Sequence, residues 1–76
     1  MDLKTYISAL NGQQLQDFSV RCNTTPGHMK QVAGGFRRAG EALAINIERE
    51  SGRTILCEDM RPDVDWAFLR ATKQHS

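Results

Sequence analysis

The side chains best suited to directed chemistry fall in one short run, Thr25-Pro26-Gly27-His28-Met29-Lys30-Gln31. It offers a hydroxyl, an imidazole, an ammonium and a carboxamide, with no acid and no activated nucleophile among them. That is a set for making hydrogen bonds to a patterned polar surface. Gln31 donates and accepts on adjacent atoms, the geometry that pairs with N6 and N7 of adenine. Lys30 only donates, and suits O6 and N7 of guanine or a phosphate. Thr25 and His28 can reach base edges or backbone, and protonation near neutral pH would let His28 hold a phosphate. Gly27 permits close approach. Arg21, Arg37 and Arg38 flank the run and suit phosphates, which fix position without reading sequence.

Other chemistries lack their parts. There is no Ser/His or Cys/His arrangement and no glycine-rich phosphate loop, and the acids cluster from Glu41 onward, so no enzyme is expected. Cys22 and Cys57 are too few for a disulfide framework and form no C-x-x-C pair. With His28 and His75 they share no ligand spacing, so buried apolar thiols are expected, with no metal and no cofactor. The longest apolar runs fall far short of the roughly 18 residues a membrane span needs. The opening MDLKTYISAL has neither a basic leader nor a long apolar core, so a soluble, cytoplasmic chain is expected.

A net charge of +1 over 76 residues conceals segregation. Residues 1–17 sum to −1, whereas residues 18–40 carry Arg21, Lys30, Arg37 and Arg38 without an acid, a sum of +4. Residues 41–65 sum to −4, and Arg70 and Lys73 return +2. The basic block coincides with the polar run, which favours a polyanion as partner.

The elements that must position this run are helical. Asp2 as N-cap and Leu3, Ile7 and Leu10 on one stripe predict a helix over about 2–10, stopped by Asn11 and Gly12. Leu15, Phe18 and Cys22 predict a second, from Gln13 to Cys22, in which the small Ser19 allows close approach of a neighbour. Asn23 accepts the left-handed conformation that closes a helix. Thr25 caps a third helix and Pro26 occupies its first position. Met29, Val32 and Ala33 face inward, leaving Gly27, His28, Lys30, Gln31 and Gly34 outward. Two short helices, a tight turn and a polar outer face on the second describe a helix-turn-helix, whose second helix fits the major groove. The amides that open the third helix add an anion site.

Gly34 and Gly35 end that helix, and Phe36 is expected to tuck against the core. Glu41 opens a fourth helix, with Leu43, Ala44 and Ile47 inward and Ile45 off the stripe. Gly52 stops it, and a short turn over Cys57 to Arg61 is closed by Pro62. In Asp63 to Arg70, acids alternate with Val64, Trp66, Phe68 and Leu69, which leaves helix and extended chain both open. The last six residues are expected to fray.

IERESG at Ile47 to Gly52 and CEDMRPDVDW at Cys57 to Trp66, downstream of LQDFSVRCN and TPGHMKQVAGG, resemble the YdaS/Cro-like family of small prophage repressors. The resemblance covers most of the chain. It implies an all-α, five-helix Cro/CI-type DNA-binding domain over residues 1–62, with a C-terminal tail over 63–76. It also implies a role in prophage regulation, often as the antitoxin of a toxin–antitoxin module. Carried over by position, the recognition face is Thr25, Gly27, His28, Lys30 and Gln31. The chain departs from the family pattern with Ser19 in place of the usual alanine and Asn23 in place of the turn glycine. The loop FRRAG lacks the usual proline.

The expected function is therefore that of a sequence-specific transcriptional regulator, a homodimer binding a double-stranded DNA operator. The alternative is an antitoxin or adaptor that docks a toxin or other partner protein through Val64, Trp66, Phe68 and Leu69.

Overall fold

The structure, a computed structural model, describes residues 1–68. These form helices α1 (Leu3–Ser8), α2 (Gly12–Arg21), α3 (Pro26–Ala33), α4 (Glu41–Glu50) and α5 (Cys57–Met60), with no strand among the described residues. A further helical segment opens at Trp66. The all-α class stands as expected, but this additional segment departs from a count of five.

Helix ends are set by local chemistry. The Asp2 carboxylate accepts from the Thr5 amide at 2.7 Å and starts α1. Asn11 and Gly12 correct the expectation that they only stop α1, because Asn11 caps α2 and Gly12 is its first residue. Asn11 and Gln14 exchange side-chain-to-backbone bonds of 2.8 and 2.9 Å in a capping box, which satisfies two amides that a bare helix start leaves unpaired. α1 consequently ends at Ser8, two residues early, while Leu10 still packs on the core.

Helices α2, α3 and α4 close in the same way. Asn23, Gly35 and Gly52 have φ of 63°, 83° and 63°, the left-handed region. After each, the chain folds back: Thr24 donates to the Ser19 carbonyl, Phe36 to Gln31 and Arg53 to Glu48, at 2.9, 2.9 and 2.8 Å. This is the Schellman closure, in which two otherwise unpaired carbonyls of the last turn are satisfied. Asn23 does it without glycine, as its short polar side chain allows.

The main core unites α1 to α4 through Leu3, Ile7, Leu15, Phe18, Cys22, Met29, Ile47 and Ile55. The rings of Tyr6 and Phe18 meet at 5.3 Å, tilted by 56°. Met29 is fully buried and anchors α3 from beneath. Truncating such a side chain to alanine costs about 2–5 kcal/mol. Ser19 is buried as well, and admits the neighbouring helix as its size predicts, but its hydroxyl has no hydrogen-bond partner.

A second cluster joins Ala44, Cys57 and Trp66, with Ile45, Met60 and Val64 around them. Ile45, off the main stripe of α4, finds its neighbours here. Three residues of the downstream motifs act as braces for this region. The Glu48 carboxylate accepts from the Cys57 amide at 3.0 Å, and the Ser51 hydroxyl accepts from the Ile55 amide at 3.1 Å. The Arg61 guanidinium donates to the Ala39 carbonyl at 2.7 Å and to both oxygens of Asp63 at 3.0 and 2.9 Å.

Candidate nucleic-acid interface

The turn between α2 and α3 spans residues 22–25. Asn46 of α4 donates to the Cys22 carbonyl at 3.0 Å, so a side chain from outside the motif holds the turn against α4. The Thr25 hydroxyl accepts from the His28 amide at 3.2 Å and Pro26 occupies the first helical position, as the sequence predicts. With Met29 buried and Val32 and Ala33 half-buried, the opposite side of α3 is left to solvent.

On that side Gly27, Gln31 and Gly34 stand at i, i+4 and i+7, one above another, and all three are exposed. A Cβ placed on Gly27 would meet nothing within 4 Å, so no contact in the fold demands glycine there. Gln31 is thus the one side chain that α3 itself places along this crest, with bare backbone at Gly27 on one side and Gly34 on the other. The ring of Phe36, from the following loop, lies over Gly34. Lys30 is exposed on the flank toward the α1–α2 junction, in a shallow recess shared with Ser8, Asn11 and Gly12. His28 lies half-buried on the other flank, near Ala42, Leu43 and Asn46. Thr25 is exposed, with its hydroxyl engaged in the cap.

The arginines differ from one another. Arg37 and Arg38 are exposed on the loop after α3, and Arg37 donates its Nε to the Gln31 side-chain oxygen at 3.1 Å. That bond couples a phosphate-type group to the carboxamide on the crest. Arg38 lies 4.0 Å from Asp63, both largely in solvent. Arg21 is drawn the other way: it pairs with Glu50 at 3.2 Å, while its guanidinium carbon sits 5.9 Å from the centre of the Phe18 ring. Arg49 meets the second oxygen of Glu50 at 3.1 Å.

Phe36 corrects an expectation. It is 84% exposed, because the left-handed turn at Gly35 carries the chain back over the end of α3 and away from the core. Its ring lies against Gly34, where a Cβ would come within 3.0 Å of ring carbons Cδ2 and Cε2. The adjacent glycines mark this reversal in the sequence, but apolarity alone does not reveal which way the ring goes.

Of the four residues considered for partner docking, Trp66 is 3% exposed and folded onto the domain, Val64 is half-buried beside it, and Phe68 is 66% exposed. Leu69, like His75, lies outside the described residues. Trp66 is therefore core in this chain, and its burial removes it from any exposed aromatic cluster.

Cys22 and Cys57 are buried and form no disulfide, as expected. Burial pushes the Cys22 thiol up to about 11, with the nearby Glu50 charge adding to the effect, so it carries no nucleophilic thiolate at neutral pH. Among the described residues no three His, Cys, Asp or Glu side chains are grouped to hold a metal ion, and no helix is long and apolar enough to cross a membrane.

No protein-family model matches the chain. It is 29% identical over 62 residues to a "Prophage transcriptional regulatory protein" of Escherichia coli (strain K12), a match covering 82% of this chain and 94% of that protein. It is 37% identical over 46 residues to the "Putative transcriptional regulator YdaS" of the same organism, covering 60% of this chain and 47% of the relative. The chain thus spans nearly all of the first relative and about half of the second. These two matches bear out the resemblance read from the sequence: the chain is similar to a prophage transcriptional regulatory protein and to the putative regulator YdaS.

Proposed function

We propose that the chain is a sequence-specific DNA-binding regulator of a prophage operon, acting as a Cro-like repressor. The observation that carries this reading is the crest of α3, where Gln31 stands exposed beyond the bare Gly27, with Lys30 and Arg37 beside it and the Phe36 ring over Gly34. A helix so bare comes close to the floor of the major groove. Gln31 then bonds a base, and Lys30 bonds a guanine or a phosphate. Thr25 and His28 contact base edges or backbone at the start of the helix. Arg37 and Arg38 hold phosphates on one side. Arg21 joins them on the other once it exchanges Glu50 for DNA.

The protein acts in the cytoplasm, on the nucleoid, as a homodimer. Two copies of α3 then read half-sites roughly 34 Å apart. Binding to DNA upstream of its own gene is tested by titration at several salt concentrations. Affinity falls steeply with salt, and Lys30→Ala with Gln31→Ala together abolish preference for the operator over random duplex. Unchanged operator affinity in that double variant refutes the assignment. Docking of a toxin is the lesser reading, since Trp66 faces inward and Phe68 remains the exposed aromatic of that region among the described residues.

A further inference from the structure

We propose that Phe36 is a base-reading residue, its ring meeting the C5-methyl group of a thymine in the major groove beyond the base that Gln31 contacts. This inference rests on the DNA-binding reading and adds to it a residue and a base.

Two features of the geometry carry it. Phe36 is held in fixed relation to Gln31: its amide donates to the Gln31 carbonyl at 2.9 Å, and the Arg37 amide reaches the same carbonyl at 3.2 Å. The Arg37 side chain closes the loop onto the Gln31 side-chain oxygen at 3.1 Å. The ring also lies on the crest itself, covering Gly34, whose lack of a side chain leaves room for it. The line Gly27, Gln31, Gly34 therefore continues into an exposed phenyl ring, placed by backbone hydrogen bonds and not by chance packing.

The chemistry selects the target. Among the groups that base pairs present in the major groove, the thymine methyl is the apolar one, and an apolar side chain is its natural partner. A second copy of this chain is a poorer occupant. A two-fold contact places the same patch against itself, so Phe36 against Phe36 would bring Arg37 and Arg38 of both copies together. DNA presents the opposite charge to those same arginines.

The test begins with a duplex selected from a random pool by the wild-type protein. Each thymine is then replaced by deoxyuridine, which deletes the methyl alone. At one position per half-site the wild type weakens about fourfold, the worth of one buried methyl. Phe36→Ala weakens by at least as much on the thymine duplex and is indifferent to deoxyuridine at that position, while Phe36→Leu keeps part of the sensitivity. Circular dichroism and thermal melting of Phe36→Ala match the wild type, since the ring is outside the core. Insensitivity of the wild type to every deoxyuridine overturns the proposal, as does a Phe36→Ala variant that keeps the full sensitivity. A variant that changes only sedimentation mass assigns Phe36 to a contact between copies instead. If no duplex is enriched at all, the DNA-binding reading falls and Phe36 with it.

Discussion

The indole Nε1 of Trp66 donates to the main-chain carbonyl of Arg61 at 2.7 Å, and the side chain of the same arginine reaches Ala39 at 2.7 Å. Arg61 therefore stands between the aromatic that covers the second cluster and the loop that follows α3. The stretch CEDMRPDVDW is in large part this brace.

Trp66→Ala removes the largest side chain of a small cluster and is expected to cost about 3–5 kcal/mol. A chain of this length holds only roughly 4–11 kcal/mol in total, so the variant sits near the edge of folding. Trp66→Phe keeps most of the packing but removes the indole bond to the Arg61 carbonyl, which retains the Val64 amide at 3.3 Å, a cost of about 0.5–1.5 kcal/mol. Urea denaturation followed by circular dichroism ranks the two against the wild type, and a Trp66→Phe variant as stable as the wild type would show that the hydrogen bond contributes nothing.

Asp63 makes the brace sensitive to acid. The Arg61 guanidinium bonded to it holds its carboxyl down to about 2, from an ordinary 3.8. A depressed folded-state value means that the ionised form stabilises the fold. The contribution is complete above about pH 4 and is lost as pH falls toward 2. Asp63→Asn should be less stable than the wild type near neutrality and converge with it at the acid end. Because Asp63 is half exposed, added salt should shrink the difference. A gap that persists undiminished at low pH would mean that the charge is not the cause.

The hydroxyl of Ser19 is buried without a partner. Ser19→Ala removes that unpaired group and improves helix propensity, for a gain of about 1 kcal/mol. In a domain of this size the melting temperature should rise by roughly 4–8 °C. A fall on substitution would mean that the hydroxyl is satisfied by water.

Glu50 restrains two arginines, Arg21 through one oxygen and Arg49 through the other. In the DNA-binding reading this competes with phosphate. Glu50→Gln should raise affinity for duplex DNA several-fold and steepen its salt dependence by about one unit of slope for each arginine released to a phosphate. Arg21→Ala, by contrast, should weaken binding less than Arg37→Ala. Salt titrations of the three variants on one duplex check the order.

Much of the fold was legible because its instructions are short-range. Thr25 before Pro26 marks the start of α3, Asn23 marks the end of α2, and the spacing of Met29, Val32 and Ala33 tells which side of α3 is buried. Asn11 was misread because one residue served two helices: a polar residue that breaks α1 is also the N-cap of α2, and only its pairing with Gln14 decides. Phe36 was misread because apolarity says that a ring prefers burial but not whether the backbone can deliver it. Gly35 turns it outward. Trp66 could not be assigned to helix or extended chain from alternating acids, since its partners Ala44 and Cys57 lie on other elements. Arg21 likewise met Glu50, distant in sequence, and lost some of its claim as a phosphate ligand. The exposed face of α3 was visible at once for the opposite reason: Gly27, Lys30 and Gln31 have few obligations to the rest of the chain.

The bond from Arg61 to Ala39 also ties the loop that follows α3 to the segment that leads into Trp66. The loop from Phe36 to Ala39 is fastened by the same guanidinium that anchors the approach to Trp66. A protein that engages this chain by lifting Trp66 from its place disturbs that fastening and loosens the loop bearing Arg37 and Arg38. If DNA favours the fastened loop, such a protein weakens DNA binding, and by thermodynamic reciprocity DNA weakens that protein by the same factor. A single arginine would then suffice to make release from DNA and capture by a partner one equilibrium.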